Sequence, residues 1–237
     1  MKGGWHSMTK LAFYGRNTMA LSAEDQVLSG RLFVIEGTDG VGRSTQIGLL
    51  RSWLESTGFA VVDTGLRRSP LVGEGIDAAK EGHTMGPLTM NLFYATDFAD
   101  RLENLIFPAL RAGFIVLTDR YTYSLIARAL VRGANQHWIE EVYGLALVPD
   151  AVFYLKVDID TLVQRIVPRG FDYWESGMDL RLGEDLYDSF IAYQARILEE
   201  FDRMADRYAF QVVDAARPIN AVHKDLRRMI APLLPKG

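Results

Sequence analysis

Residues 33–46, FVIEGTDGVGRSTQ, run from an apolar strand through a glycine-rich turn into the opening of a helix. A strand that is apolar without alternation must be covered on both faces, which few architectures allow. From Gly37 to Ser44 the pattern G-x-x-x-x-G-K-[ST] is met at every fixed position but one, where Arg43 replaces lysine. Glycines in such a loop let successive backbone N–H groups converge on one anion, and the following helix adds its positive end. Gly37, Thr38, Asp39, Gly40, Val41, Gly42, Arg43, Ser44 and Thr45 are therefore the expected phosphate cradle, with the Ser44 hydroxyl placed for Mg²⁺. A dinucleotide fingerprint fits less well, because Thr45 stands where a third glycine or alanine belongs.

Arg43 keeps the charge of lysine but not its shape. Lysine is a point charge on a thin stem, whereas guanidinium is a wide planar fork. Two outcomes are open: the fork grips β- and γ-phosphate oxygens bidentately, or it sits too high and displaces the γ-phosphate.

Four further buried runs follow, FAVVDTG (59–65), FIVLTDR (114–120), AVFYLKV (151–157) and AFQVVDA (209–215). Helical spacing separates them: Ile47, Leu50, Trp53 and Leu54, then a long helix over Pro87–Ala112, then Leu186, Phe190, Ile197 and Phe201, then a closing helix from about Ile219. The expected fold is an α/β domain, a five-stranded parallel sheet with helices on both faces. Residues 31–237 form that domain, and residues 1–30 read as a loose N-terminal extension. Between 168 and 183, PRGFDYWESGMDLRLG mixes glycine, charge and aromatics and reads as a mobile lid near the carboxyl ends of the strands.

Composition excludes several classes. A net charge of −4 argues against broad nucleic-acid binding, which needs a basic face. The absence of cysteine removes disulfides, thiolate metal sites and a thiol nucleophile. His6, His83, His137 and His223 lack metal-ligand spacing. No apolar run is long enough for a membrane span, and a cytoplasmic location is expected.

Asp119 closes the third strand, where a Mg²⁺-linked carboxylate belongs, and Arg120 follows it toward the same sheet edge. An acceptor hydroxyl would need a base near the end of the second strand. That end instead carries Arg67 and Arg68, with Asp63 inside the strand. Arginines suit an acceptor that is already anionic, such as a nucleoside monophosphate, and Arg169 or Arg181 of the lid would help offset the repulsion between two anions.

From Arg31 to about Ile230 the chain resembles the thymidylate kinases of the P-loop nucleoside monophosphate kinase group. The resemblance rests on EGTDGVGRST (36–45), on Arg68-Ser69-Pro70 before Gly73-Glu74, on Asp119-Arg120-Tyr121 with Ser124, on the helix LFYATDFADR and on VVDA. It implies ATP and Mg²⁺ as cofactors, a homodimer, a 3′-hydroxyl contact from Asp39, a phosphate clamp from Arg68, and stacking of the base on Tyr94. Gly40 after Asp39 implies a catalytic lid arginine, Arg169 first and Arg181 second. The match fails at the base: Phe98 stands where the family places its base-reading arginine, and Leu125 and Arg128 replace other pocket residues. Tyr173-Trp174 interrupts the lid motif. The expected activity is phosphoryl transfer from ATP to a deoxynucleoside monophosphate, thymidylate first. A kinase for another phosphorylated small molecule and a nucleotide-binding regulator without catalysis are the alternatives.

Overall fold

All five apolar runs are strands in the computed structural model, which describes residues 9–16 and 27–235. They are β1 (Arg31–Glu36), β2 (Val61–Gly65), β3 (Ile115–Asp119), β4 (Ala151–Lys156) and β5 (Gln211–Asp214). The sheet is parallel throughout, in the order β2-β3-β1-β4-β5. Alternation along each strand divides two cores. Leu32, Val34, Val116, Val152 and Tyr154 face one, and Phe33, Ile35, Ile115, Leu117 and Phe153 face the other. Each such side chain stabilises the fold by roughly 1.5–3 kcal/mol relative to exposure.

Helices α1 (Arg43–Ser56), α2 (Gly73–Gly82) and α3 (Pro87–Arg101) precede β3, with α4 (Phe107–Arg111) just before it. Helices α5 (Thr122–Val131) and α6 (Gln136–Val142) lie between β3 and β4. Then come α7 (Ile159–Ile166), α8 (Leu186–Arg207) and α9 (Ile219–Ile230). α1, α7 and α9 cover one face through Ile47, Leu50, Leu162, Leu226 and Ile230. α3, α5 and α8 cover the other through Phe98, Ile126, Ile197 and Phe201. Both faces are therefore dry, as unalternating strands require.

Two expectations need correction. The helix over Pro87–Ala112 is not regular: between α3 and α4 lies a π-helical stretch, Leu102–Ile106, where Phe107 N–H bonds back to the Leu102 carbonyl. Pro108 has no N–H to give its own turn and its ring crowds the carbonyl four residues earlier, so the ladder shifts register there. Nor is the whole of 1–30 a loose extension. Residues 9–10 pair antiparallel with 27–28, and the backbone of 12–15 bonds to residues 144–148, as in Tyr14 N to Ala146 O at 3.0 Å. The hydroxyls of Tyr14 and Tyr123 meet, which adds a side-chain anchor. Residues 1–8 and 17–26 lie outside the described part.

Candidate active site

The glycine loop leaves the carboxyl end of β1, the central strand, with β3 and β4 on either side. Gly37 (φ 143°) could not carry a side chain, since its Cβ would fall 2.6 Å from the Leu155 carbonyl oxygen. Gly40 is restricted by its positive φ (82°), its Cβ crowding only the end of the Ile166 side chain of α7. No side chain caps α1 and no acidic residue occupies its first turn, which leaves its positive end available to an anion at the loop.

Arg43 makes its contacts within the protein. Its guanidinium turns back on its own loop, 8% exposed. It donates to the carbonyls of Gly37 and Thr38 and, through Nε, to Asp119 Oδ1 at 2.7 Å. Its other terminal nitrogen lies 3.6 Å from Asp39. Asp119 is shared: its second oxygen accepts from the Ser44 hydroxyl at 2.8 Å. The two expected metal residues are thus in direct contact, with a hydroxyl and a carboxylate on one side of the loop.

Asp39 is the hub of the cations. Besides Arg43 it pairs with Arg120 and, at 2.5 Å, with Arg128. Arg120 sits in a left-handed backbone conformation (φ 68°) that non-glycine residues rarely adopt. Its amide bonds to Ile35 O, and Thr118 Oγ1 donates to its carbonyl. Burial, and after it the charge of Arg128, lowers the Arg120 guanidinium to about 9, so it remains charged at neutral pH.

One functional residue was legible only as part of a motif. Glu36, fully buried at the end of β1, accepts from Tyr121 N at 2.7 Å, Ser124 N at 3.3 Å and Ser124 Oγ at 2.6 Å. It ties the start of α5, and with it Arg120, to the loop strand. Burial raises its carboxyl pKa against the lowering effect of those hydrogen bonds. Ser124, expected at the substrate, donates its hydroxyl to Glu36. Glu36→Gln keeps the shape but turns an amide donor toward N–H and O–H donors. It is expected to cost about 1–3 kcal/mol, roughly 2–12 °C in Tm for a domain of this size, read by thermal unfolding.

On the acceptor side, a second buried carboxylate went unnoticed in the sequence. Asp97 of α3 accepts from the backbone N–H of Arg67 at 3.1 Å and Ser69 at 2.9 Å, and pairs with Arg101. It fixes the turn after β2, where Arg67 takes up φ 61°. Arg68 is exposed and held by Asp63 at 2.9 Å; Asp63 also pairs with Arg51. Asp63 is therefore engaged by two guanidiniums.

Beyond Arg128 opens a cleft of about 390 Å³ between α2, α3, α5 and the lid. Tyr94, Leu125, Arg128 and Arg181 line it. Phe98 does not. It is fully buried, edge-on to Tyr121 with ring centroids 5.0 Å apart, because one turn beyond Tyr94 α3 has rotated into the core. Arg169, the preferred lid arginine, is exposed at the end of a short 3₁₀ turn and is not among the cleft residues. Arg165 was missed: it bridges the Val41 carbonyl (3.3 Å) and the Ala215 carbonyl (2.7 Å), bracing the glycine loop against the end of β5.

The lid is tied down at several points. Arg132 of α5 forks onto Asp179 (2.8 and 3.1 Å) and reaches the Trp174 carbonyl at 3.2 Å. Trp174 Nε1 donates to Lys80 O at 3.0 Å, and His83 stacks on the indole. Gln194 of α8 donates to the Glu175 carbonyl.

A family model described as thymidylate kinase matches residues 35–226. The chain belongs to the thymidylate kinase family. A protein of Saccharolobus solfataricus named probable thymidylate kinase 2 is 35% identical over 207 residues, covering 86% of this chain and 96% of that one. Probable thymidylate kinases of Thermococcus kodakarensis and Pyrococcus horikoshii are 31% and 28% identical, covering 85% and 86% of this chain and 97% of each relative. This thymidylate kinase family member is a nucleoside monophosphate kinase of P-loop fold, and no helix among its described residues is long and apolar enough to cross a membrane.

The kinase's loop residues fit a Mg²⁺–nucleotide. Magnesium takes oxygen donors and keeps several waters, binding through one or two protein groups plus substrate phosphate. Ser44 and Asp119 are such a pair. Among the described residues no group of three or more His, Asp or Glu could hold a metal by itself. Thr38 Oγ1 and Arg120 Nε are buried at the loop without a protein partner.

Proposed function

We propose that the kinase moves the γ-phosphoryl group of ATP to a deoxynucleoside monophosphate, thymidylate first, with Mg²⁺ held by Ser44 and Asp119. The observation that carries this reading is the Asp119 carboxylate, shared by Ser44 and Arg43 beside the glycine loop. When bound, Mg²⁺ neutralises charge on the transferring phosphoryl group. The loop amides and the start of α1 hold the donor phosphates. Arg43 keeps the loop in shape and balances Asp119. Arg120 and Arg68 screen the acceptor phosphate, and Arg181 reaches the cleft from the lid.

An acceptor phosphate oxygen attacks the γ-phosphorus as the bond to the β–γ bridging oxygen breaks, and ADP leaves. The second phosphate pKa is about 6, so the attacking oxygen is ionised at neutral pH and no base is needed. Asp63, paired with Arg51 and Arg68, is consistent with that. Asp39 would receive the sugar hydroxyl and Tyr94 the base. A homodimer is carried over with the family resemblance, and the cytoplasmic location expected from the sequence is kept with it.

A coupled assay of ADP release across the common nucleoside monophosphates tests this, with thymidylate expected to give the highest kcat/KM. The folded-back Arg43 favours one second reading, a nucleotide-binding regulator, because its guanidinium occupies the Asp119 oxygen a metal would use. Tight ATP binding without turnover of any monophosphate selects it.

A further inference from the structure

One cation in the cleft has no assigned task. Lys80, in the last turn of α2, lines the cavity, and its ammonium makes no hydrogen bond or ion pair among the described residues. Its position is set from the backbone, where its carbonyl accepts from Trp174 Nε1 at 3.0 Å. The neighbouring cations are engaged elsewhere: Arg128 with Asp39, and Arg132 with Asp179. Burial, then the charges of Arg67 and Arg128, lower the Lys80 pKa, while Asp172 and Glu175 of the lid oppose them. The α3 wall offers Met90, Asn91 and Tyr94, and the next position on that side, Phe98, has left for the core. α3 therefore presents no cation to a base stacked on Tyr94.

We infer that Lys80 is the specificity residue of this cleft, its ammonium donating to the C4 keto oxygen of a pyrimidine base held against Tyr94. The inference rests on the acceptor class proposed above. An ammonium has three donors and no acceptor. A thymine or uracil edge offers it an oxygen, whereas cytosine turns an exocyclic amino group toward it and leaves a half-buried charge facing donors. Sites built on such a hydrogen bond reject the mismatched analogue far more strongly than an apolar wall does.

The test is steady-state kinetics of the parent, Lys80→Met and Lys80→Arg with thymidylate and deoxycytidylate. Lys80→Met keeps the length of the side chain on a partly exposed helix face. It is expected to raise the KM for thymidylate about ten- to a hundredfold, the range for a hydrogen bond to a charged group. The thymidylate-to-deoxycytidylate ratio of kcat/KM should fall about tenfold or more, the KM for ATP should hold, and Lys80→Arg should recover part of the ratio. A tightened or weakened lid would move both acceptors together and leave the ratio alone. An active parent whose ratio is the same in Lys80→Met overturns the inference and leaves the kinase reading standing. A parent that turns over neither nucleotide overturns the thymidylate reading. Equilibrium binding of the two monophosphates then decides the inference: selective loss of thymidylate binding in Lys80→Met supports it, and unchanged dissociation constants overturn it.

Discussion

Asp119→Asn is expected to lower kcat by about a thousandfold, equivalent to roughly 4 kcal/mol of transition-state stabilisation. The amide has the size of the carboxylate and can still accept from the Ser44 hydroxyl, so the loop should keep its outline. What it lacks is the charge that faces Arg43 Nε at 2.7 Å and that would hold the metal. Losing it leaves developing charge on the phosphoryl oxygens less well neutralised, an effect confined to the transition state. The KM for the acceptor should change little, and the Mg²⁺ concentration for half-maximal rate should rise. Single-turnover measurements with excess enzyme report the chemical step without product release. A kcat within tenfold of the parent would remove Asp119 from the mechanism.

Substitution at Arg43 comes second in size. Its guanidinium spans two loop carbonyls, Asp119 and the vicinity of Asp39, four groups on different sides of one planar fork. An ammonium radiates its donors from a single atom and cannot meet that set. Arg43→Lys is therefore expected to lower kcat/KM about ten- to a hundredfold, although it restores the more familiar loop residue. Arg43→Ala removes one partner of a buried ion pair, at a cost of about 3–5 kcal/mol, or roughly 6–20 °C in Tm. Scanning calorimetry and the ADP-release assay read the two effects separately. A parent without turnover that gains it in Arg43→Lys would show instead that arginine has silenced the site.

The two substitutions differ in how far the sequence foretold their sites. The strand–loop–helix of 33–46 was legible because each part is local: an apolar run, glycines that need positive φ, a helix start. The five strands were equally plain, since burial on both faces leaves long apolar runs. Pro108 stood in view, but apolar spacing across 87–112 concealed what it does to the hydrogen-bond ladder. Ser44 and Asp119 could be paired through the motif they resemble. Phe98 could not be placed from spacing alone, because a helix position reads the same whether it turns toward a cleft or a core.

The residues that organise the site are buried carboxylates whose partners are distant in the chain. Glu36 meets Tyr121 and Ser124 across 85 or more residues, and Asp97 meets the 67–69 turn from about 30 residues away. No local pattern announces such bonds, which come into being as β1, β3 and α3 pack. Sequence was sufficient for the strands of the sheet, the glycine loop and the kinase family. Folding settled where each guanidinium points, because a long charged side chain takes the direction of its nearest opposite charge, and that neighbour is assembled from separate segments.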